Sequence, residues 1–368
     1  MKWKKNFRDW LFVVSAWITA SLCITAIGMF FQDLQFRFLE IFPTKENQKF
    51  IEYFSSGFQY IEGALFGFLF GTVFYFVYWL TENTSLRNKS FGRLMFIKTS
   101  LYLVGFVLTF FIVFAFLLTL DFTPVRGVKD MIQTFSSWTF YAAFGTFLTL
   151  FTIIINFILE VSKKYGPGNL WNMFMGKYHH PVIEHRIFMF LDLKDSTTYA
   201  EKLGHIKYSN LIQKCFLYLN EIVFDHNAQI YQYVGDEAVL TWDSSDLEAR
   251  KLSIELFFAF QKKLASKADK FEKEFGFVPE FKAGINEGAV TAAEVGYIKR
   301  DIAYHGDVLN TGARIQDKCN ELGKSLLVSE VFAEQIKSLN LFKQELLGEV
   351  ALKGKKDALN IYAIEPIT

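Results

Sequence analysis

RIFMFLDLKDST, residues 186–197, holds five consecutive apolar side chains, then an acid, then a short polar turn. An unbroken apolar run without polar alternation predicts a strand buried on both faces. Asp192 closes that strand. The turn Lys194, Asp195, Ser196 and Thr197 then opens a helix, whose free backbone amides can cradle phosphate.

Downstream, YSNLIQKCFLYLNEIVFDH (208–226) has helical periodicity, and QIYQYV (229–234) and EAVLTW (237–242) flank a tight turn at Gly235 and Asp236. A long charged helix is predicted from about Leu247 to Phe275. Strands are predicted at FKAGIN (281–286), AVTAAEV (289–295), IAYHG (302–306), SLLVS (325–329), VALKG (350–354) and NIYAI (360–364), with a helix near 308–319. This order predicts a C-terminal α+β sandwich over 186–368, with helices on one sheet face.

Upstream the composition changes. Runs at roughly 11–31, 57–80, 95–120 and 138–159 are each apolar and long enough to cross about 30 Å of hydrocarbon as helices. They predict a four-span transmembrane bundle over 1–160. Lys2, Lys4, Lys5 and Arg8 resemble the charged start of a signal peptide, but the apolar core behind them is too long for one, so no cleavage is expected. Lys2, Lys4, Lys5, Arg8, Arg87, Lys89, Arg93, Lys163 and Lys164 outnumber Arg37, Lys45, Lys49, Arg126 and Lys129 on the other side. Both termini and the C-terminal domain are therefore expected in the cytoplasm, below a multi-pass inner membrane anchor. Glu62 and Lys98 near span ends are expected to reach the interface, and Asn156 to bond another helix.

Gly166, Pro167 and Gly168 break the fourth helix and begin a connector, residues 161–185. Trp171, Met173, Phe174 and Met175 suit a membrane interface or a partner helix, while His179, His180 and His185 lack the spacing of a metal site. Of the 368 residues 51% are hydrophobic, 43 of them Phe, which is too apolar for an average soluble chain. Lys plus Arg (39) nearly cancels Asp plus Glu (38), so no basic field draws the chain onto nucleic acid. Cys23, Cys215 and Cys319 form no CxxC pair, which fits a reducing compartment.

Asp192 at a strand end and Asp236 in a hairpin tip converge at one sheet edge if the strand lies beside the hairpin. Two carboxylates with open positions suit magnesium or manganese. In HGDVLNTGARIQ, Asn310 and Arg314 stand four apart and share one helix face. That face offers an amide to orient a sugar and a guanidinium to meet phosphoryl charge. Lys353 in LKGKKD adds a point charge suited to a polyphosphate tail.

In order, FLDLKDST, YVGDEAVLTW, HGDVLNTGAR and LKGKKD resemble the catalytic domain of the class III adenylyl and guanylyl cyclases, over about 180 residues from Arg186 onward. The resemblance implies that family's α+β, ferredoxin-like fold. It implies two divalent ions, Mg2+ or Mn2+, held by Asp192, Asp236 and the carbonyl of Leu193, with Asn310 and Arg314 acting on the transition state and Lys353 on the triphosphate. It implies a homodimer whose two sites each take metal acids from one copy and Asn and Arg from the other. The substrate implied is a nucleoside triphosphate, cyclised to the 3′,5′-monophosphate with release of pyrophosphate.

Two positions depart from the family. Its base-reading Lys is here Gln232, and the Asp or Thr that partners it is Ala303. Gln can donate and accept, whereas Ala offers no side-chain hydrogen bond. ATP is the expected substrate, with GTP left open. Two other readings stand beside this one. VGDE also resembles the turn of diguanylate cyclases, and the altered base pair suits a nucleotide-binding regulator without turnover.

Overall fold

The computed structural model describes residues 2–39, 56–84, 86, 89–119, 146, 149–150, 152–154, 156–157, 172, 175–245, 247–298, 300–350 and 358–367. They fall into two units, Met1–Val161 and Ser162–Thr368.

The first unit contains helices α1 (Lys2–Leu39), α2 (Phe58–Asn83) and α3 (Phe91–Thr119). Trp10–Phe30, Phe58–Glu82 and Gly92–Val113 are each long and apolar enough to cross a membrane. The expected spans at 11–31, 57–80 and 95–120 fall on these helices. The fourth, 138–159, lies mostly outside the described residues.

Small residues let α1 and α2 meet backbone to backbone. A Cβ on Gly67 would lie 2.7 Å from the Cα of Ile18 and 2.8 Å from the carbonyl oxygen of Trp17. Such close contact is a main source of helix association where no water remains to be expelled. Aromatic rings fill the space alongside, with Trp17, Phe70, Phe74 and Tyr102 buried and the rings of Phe74 and Tyr102 stacked at 4.0 Å.

Lys98 is only 1% exposed, and its Nζ bonds Glu82 Oε1, at the end of the neighbouring helix, at 3.0 Å. Asn156 Nδ2 donates to the carbonyl of Thr152 at 3.0 Å, one turn back in its own segment.

In the second unit β1 (Val182–Leu193) is the strand read from RIFMFLDL. Helix α4 (Ser196–Val223) follows, starting earlier than its periodicity suggested and kinked at Gly204, where φ is 71° and ψ 166°. The hairpin is β2 (Gln229–Val234) and β3 (Glu237–Asp243). The predicted long helix is two, α5 (Leu247–Ala265) and α6 (Ala268–Phe275). Then come β4 (Phe281–Val295), β5 (Asp301–His305), α7 (Asp307–Glu321), β6 (Leu326–Ser329), α8 (Glu330–Ile336), β7 (Phe342–Val350) and β8 (Leu359–Pro366).

The two strands predicted at 281–286 and 289–295 are one. Glu287 interrupts their apolar pattern, but Arg250 of α5 grips its carboxylate with two bonds, of 2.8 and 3.2 Å, so the strand runs through.

The strands form one mixed sheet in the order β2-β3-β1-β4-β6-β8-β7, with β5 pairing the far end of β4. β1 is central and antiparallel to both neighbours, and Asp192 stands opposite Glu237 on one side and Lys282 on the other. Ile187, Met189 and Leu191 point into the main core with Leu211, Cys215 and Leu219 of α4, Phe257 and Phe260 of α5 and Phe332 of α8. Phe188 and Phe190 point the opposite way, toward Val308, Leu309 and Ala313 of α7. Helices therefore cover both faces, which corrects the expectation of a single helical layer. An amphipathic helix records which of its own faces is apolar, but not which side of a sheet receives it.

Candidate active site

Helix α7 is seated on the sheet by the absence of two side chains. A Cβ on Gly284 of β4 would lie 2.4 Å from the backbone nitrogen of Gln316 and 2.6 Å from the carbonyl oxygen of Gly312. A Cβ on Gly312 would lie 2.8 Å from the ring of Phe190. Thr311, Gly312, Ile315, Gln316 and Cys319 form the buried face of this helix.

Gln316 uses that position to donate from Nε2 to Asp192 Oδ2 at 3.0 Å, and Lys282 Nζ reaches the same oxygen at 3.4 Å. Asp236 stands in the turn between β2 and β3, where Gly235 takes φ 63°. Because β3 pairs with β1, the two acids meet at one sheet edge. Burial, and then the negative charge of Asp236, push the Asp192 carboxyl above the ordinary range, with Lys282 pulling the other way.

The surroundings intensify this excess of negative charge. Glu237, the cross-strand neighbour of Asp192, is pushed up to about 7 by burial and then by Asp192, Asp317 and Asp236. The phenol of Tyr208 on α4 is pushed up to about 12, by burial and by Asp236. Asp236 Oδ2 is buried and has no hydrogen-bond partner among the described residues.

An oxygen in that state, beside a second carboxylate, fits a divalent cation by its chemistry. Among the described residues no group of three or more His, Cys, Asp or Glu side chains is arranged to hold an ion. A pair of carboxylates leaves room for backbone, water or substrate oxygens around such an ion.

The predicted phosphate turn follows directly. Leu193 is the last residue of β1, Asp195 takes the left-handed conformation at φ 56°, and Ser196 begins α4. The Tyr199 amide bonds the Asp195 carbonyl at 3.1 Å, so the chain turns sharply into the helix beside Asp192. Asp is among the residues that tolerate this backbone region best.

Asn310 and Arg314 share one face of α7, but it is the face away from the sheet. At 100° per residue they lie roughly opposite Gly312 and Gln316. Asn310 is exposed and Arg314 half-buried. Within one chain the helix thus turns its buried face to Asp192, and the amide and guanidinium look outward. Lys353 lies outside the described residues.

Gln232 is exposed on β2 and Ala303 lies on β5. Their neighbours meet, since the Tyr304 amide donates to Tyr231 Oη at 3.3 Å. The Arg186 guanidinium lies 5.1 Å from the centre of the Tyr304 ring. It is fixed by bonds to Thr241 Oγ1 at 3.0 Å and to Gln229 Oε1 at 2.8 Å. Lys282, Glu237, Tyr208, Gln316 and Tyr231 were not singled out by sequence. Each is an ordinary polar residue whose role appears only through long-range contacts.

Residues 180–366 match the adenylate and guanylate cyclase catalytic domain. Adenylate cyclase 2 of Rhizobium meliloti (strain 1021) is 31% identical over 210 residues, which cover 57% of this chain and 58% of that protein. The terminal-differentiation specific adenylate cyclase of Dictyostelium discoideum is 24% identical over 220 residues, 58% of this chain and 10% of that one. The chain therefore spans less than two thirds of either relative. A solved bacterial light-regulated adenylyl cyclase shares the fold with a TM-score of 0.52 at 16% identity, over 63% of this chain and 67% of that one.

Proposed function

The chain belongs, through residues 180–366, to the adenylate and guanylate cyclase catalytic domain family, and from this we propose that it is a membrane-anchored nucleotidyl cyclase. It converts ATP to the 3′,5′-cyclic monophosphate and pyrophosphate at sites shared by two copies of itself.

The observation that carries the reading is the geometry of α7. Its inner face reaches Asp192 through Gln316, while Asn310 and Arg314 turn outward. One copy alone offers metal acids in one direction and phosphate-binding groups in another, and a second copy facing the first completes both sets. We read helices α1 to α3, with a fourth span expected at 138–159, as the membrane anchor, and the distribution of Lys and Arg supports both termini and the catalytic domain in the cytoplasm.

Asp192, Asp236 and the Leu193 carbonyl would hold two divalent ions, magnesium or manganese. When bound, these supply Lewis acidity at the ribose 3′-hydroxyl and neutralise phosphate charge. The turn Lys194, Asp195, Ser196 and Thr197 offers backbone amides to the phosphates. Asn310 of the facing copy orients the ribose, and Arg314 meets the charge that develops about the α-phosphorus as the 3′-oxygen attacks and pyrophosphate departs. Lys353 grips the β and γ groups. Gln232 and Ala303 flank the base. Adenine is favoured because nothing at these two positions specifies guanine.

The test is incubation of the purified full-length protein with manganese and each nucleoside triphosphate, followed by identification of the product. Cyclic AMP from ATP is expected. Substituting Asp192→Ala or Arg314→Ala should lower turnover at least about 100-fold, the scale of losing a major electrostatic stabiliser. A dinucleotide product, or wild-type turnover in either variant, overturns the assignment. Ala303 favours a second reading, a nucleotide-binding regulator, which triphosphate binding without turnover would establish.

A further inference from the structure

Asp192 Oδ2 is held from two sides, by Gln316 at 3.0 Å and by Lys282 at 3.4 Å. Both partners are fixed. Gln316 is 3% exposed, on a helix whose backbone touches Gly284, and Lys282 is the cross-strand neighbour of Asp192 in β4.

A carboxylate that is to bind an ion beside a second carboxylate can relieve their repulsion by rotating out to solvent. Two donors on one oxygen hold it in place, leaving Oδ1 oriented to receive an ion. Helix α7 has a second task under the proposed function, because Asn310 and Arg314 stand on its opposite side.

We propose that Gln316 is a positioning residue that holds Asp192 in its ion-binding orientation, and that through it one helix fixes both the metal half of its own site and the phosphate half of its partner's. The first part rests on the hydrogen bond and the seat of the helix. The second rests also on the two-copy site proposed above.

The experiment uses the full-length protein with manganese alone, without nucleotide, and reads free Mn2+ by its electron paramagnetic resonance signal. Gln316→Met keeps the length of the side chain and removes the donor, and Gln316→Ala provides a second variant. Both should raise the dissociation constant for Mn2+ by about 10-fold or more, on the scale of losing an outer partner of a metal ligand. The thermal unfolding midpoint of the metal-free protein should change little. Turnover should fall at low manganese and return as the metal is raised, so that the loss lies in metal affinity more than in kcat.

Wild-type Mn2+ affinity in both variants overturns the proposal, as does failure of the wild-type protein to bind Mn2+. Loss of cooperative unfolding in both variants also overturns it, because Gln316 would then serve packing alone. Weakened Mn2+ binding in the variants, together with no cyclic nucleotide from the wild-type protein, would uphold the positioning role while removing the cyclase reading.

Discussion

Gly284 and Gln316 stand so close that a single methyl group on the glycine would lie 2.4 Å from the glutamine's backbone nitrogen. That distance is too short for any relaxed contact, and the atom it threatens belongs to the helix backbone. The helix would have to lift.

Gly284→Ala should therefore act through α7 as a whole. Overpacking at a rigid contact costs about 1–3 kcal/mol, and the displaced helix carries Gln316 away from Asp192 and moves Arg314. A lowered unfolding midpoint together with a severe loss of turnover is the expected pair of results. A stable variant with normal turnover would show that the helix does not depend on this seat.

Mixing Asp236→Ala chains with Arg314→Ala chains should restore activity that neither has alone, since each mixed pair regains one complete site. The measurement is turnover after co-purification through two different tags. If paired chains remain as inactive as their parents, the two-copy site is wrong.

The acids beside Asp192 set a pH dependence with a definite sign. Glu237 has a folded-state value of about 7, above its ordinary 4.5, so its contribution favours the fold below 4.5 and is lost as pH rises through about 7. In metal-free protein Glu237→Gln should raise the unfolding midpoint at pH 8 and leave it nearly unchanged at pH 4. An increase of roughly 2–4 °C is expected, about 1 kcal/mol for a unit of this size once solvent screening of a partly exposed carboxyl is allowed for. Equal midpoints for variant and wild type at pH 8 would contradict the raised value.

Base choice should respond to the two departing positions. The double substitution Gln232→Lys and Ala303→Asp installs a donor and an acceptor where Ala303 offers neither, and should sharpen the preference for ATP over GTP by at least about 10-fold, the scale of one discriminating hydrogen bond to a charged group. Competition of the two triphosphates for one enzyme is the measurement. An unchanged ratio would place the base elsewhere.

Much of this was legible because the informative signals were local. The apolar run before Asp192 and the Gly-Asp turn each declare their structure within a few residues, and pairing β1 with β3 then brings the two acids together. Gln316 and Lys282 were not legible. Gln316 lies 124 residues from Asp192 in sequence, and nothing in the pattern of either segment records their contact. The break read between 286 and 289 failed for a related reason, since the partner that lets Glu287 sit in a strand is Arg250, on a distant helix. The partner of Lys98, Glu82, was likewise illegible because it belongs to another span. Side-chain periodicity reports exposure on one element, and these three outcomes depended on a second.

The two-sided duty of α7 carries a genetic consequence. When defective and normal chains are produced in equal amounts and pair at random, a lesion confined to Arg314 spoils one centre per mixed pair and leaves about half the total output, as expected for a two-fold assembly. A lesion in the seat at Gly284 displaces groups that serve both centres, so mixed pairs fall silent and only about a quarter survives. Alleles acting through one helix would thus differ in dominance according to whether they alter a fingertip or the wrist.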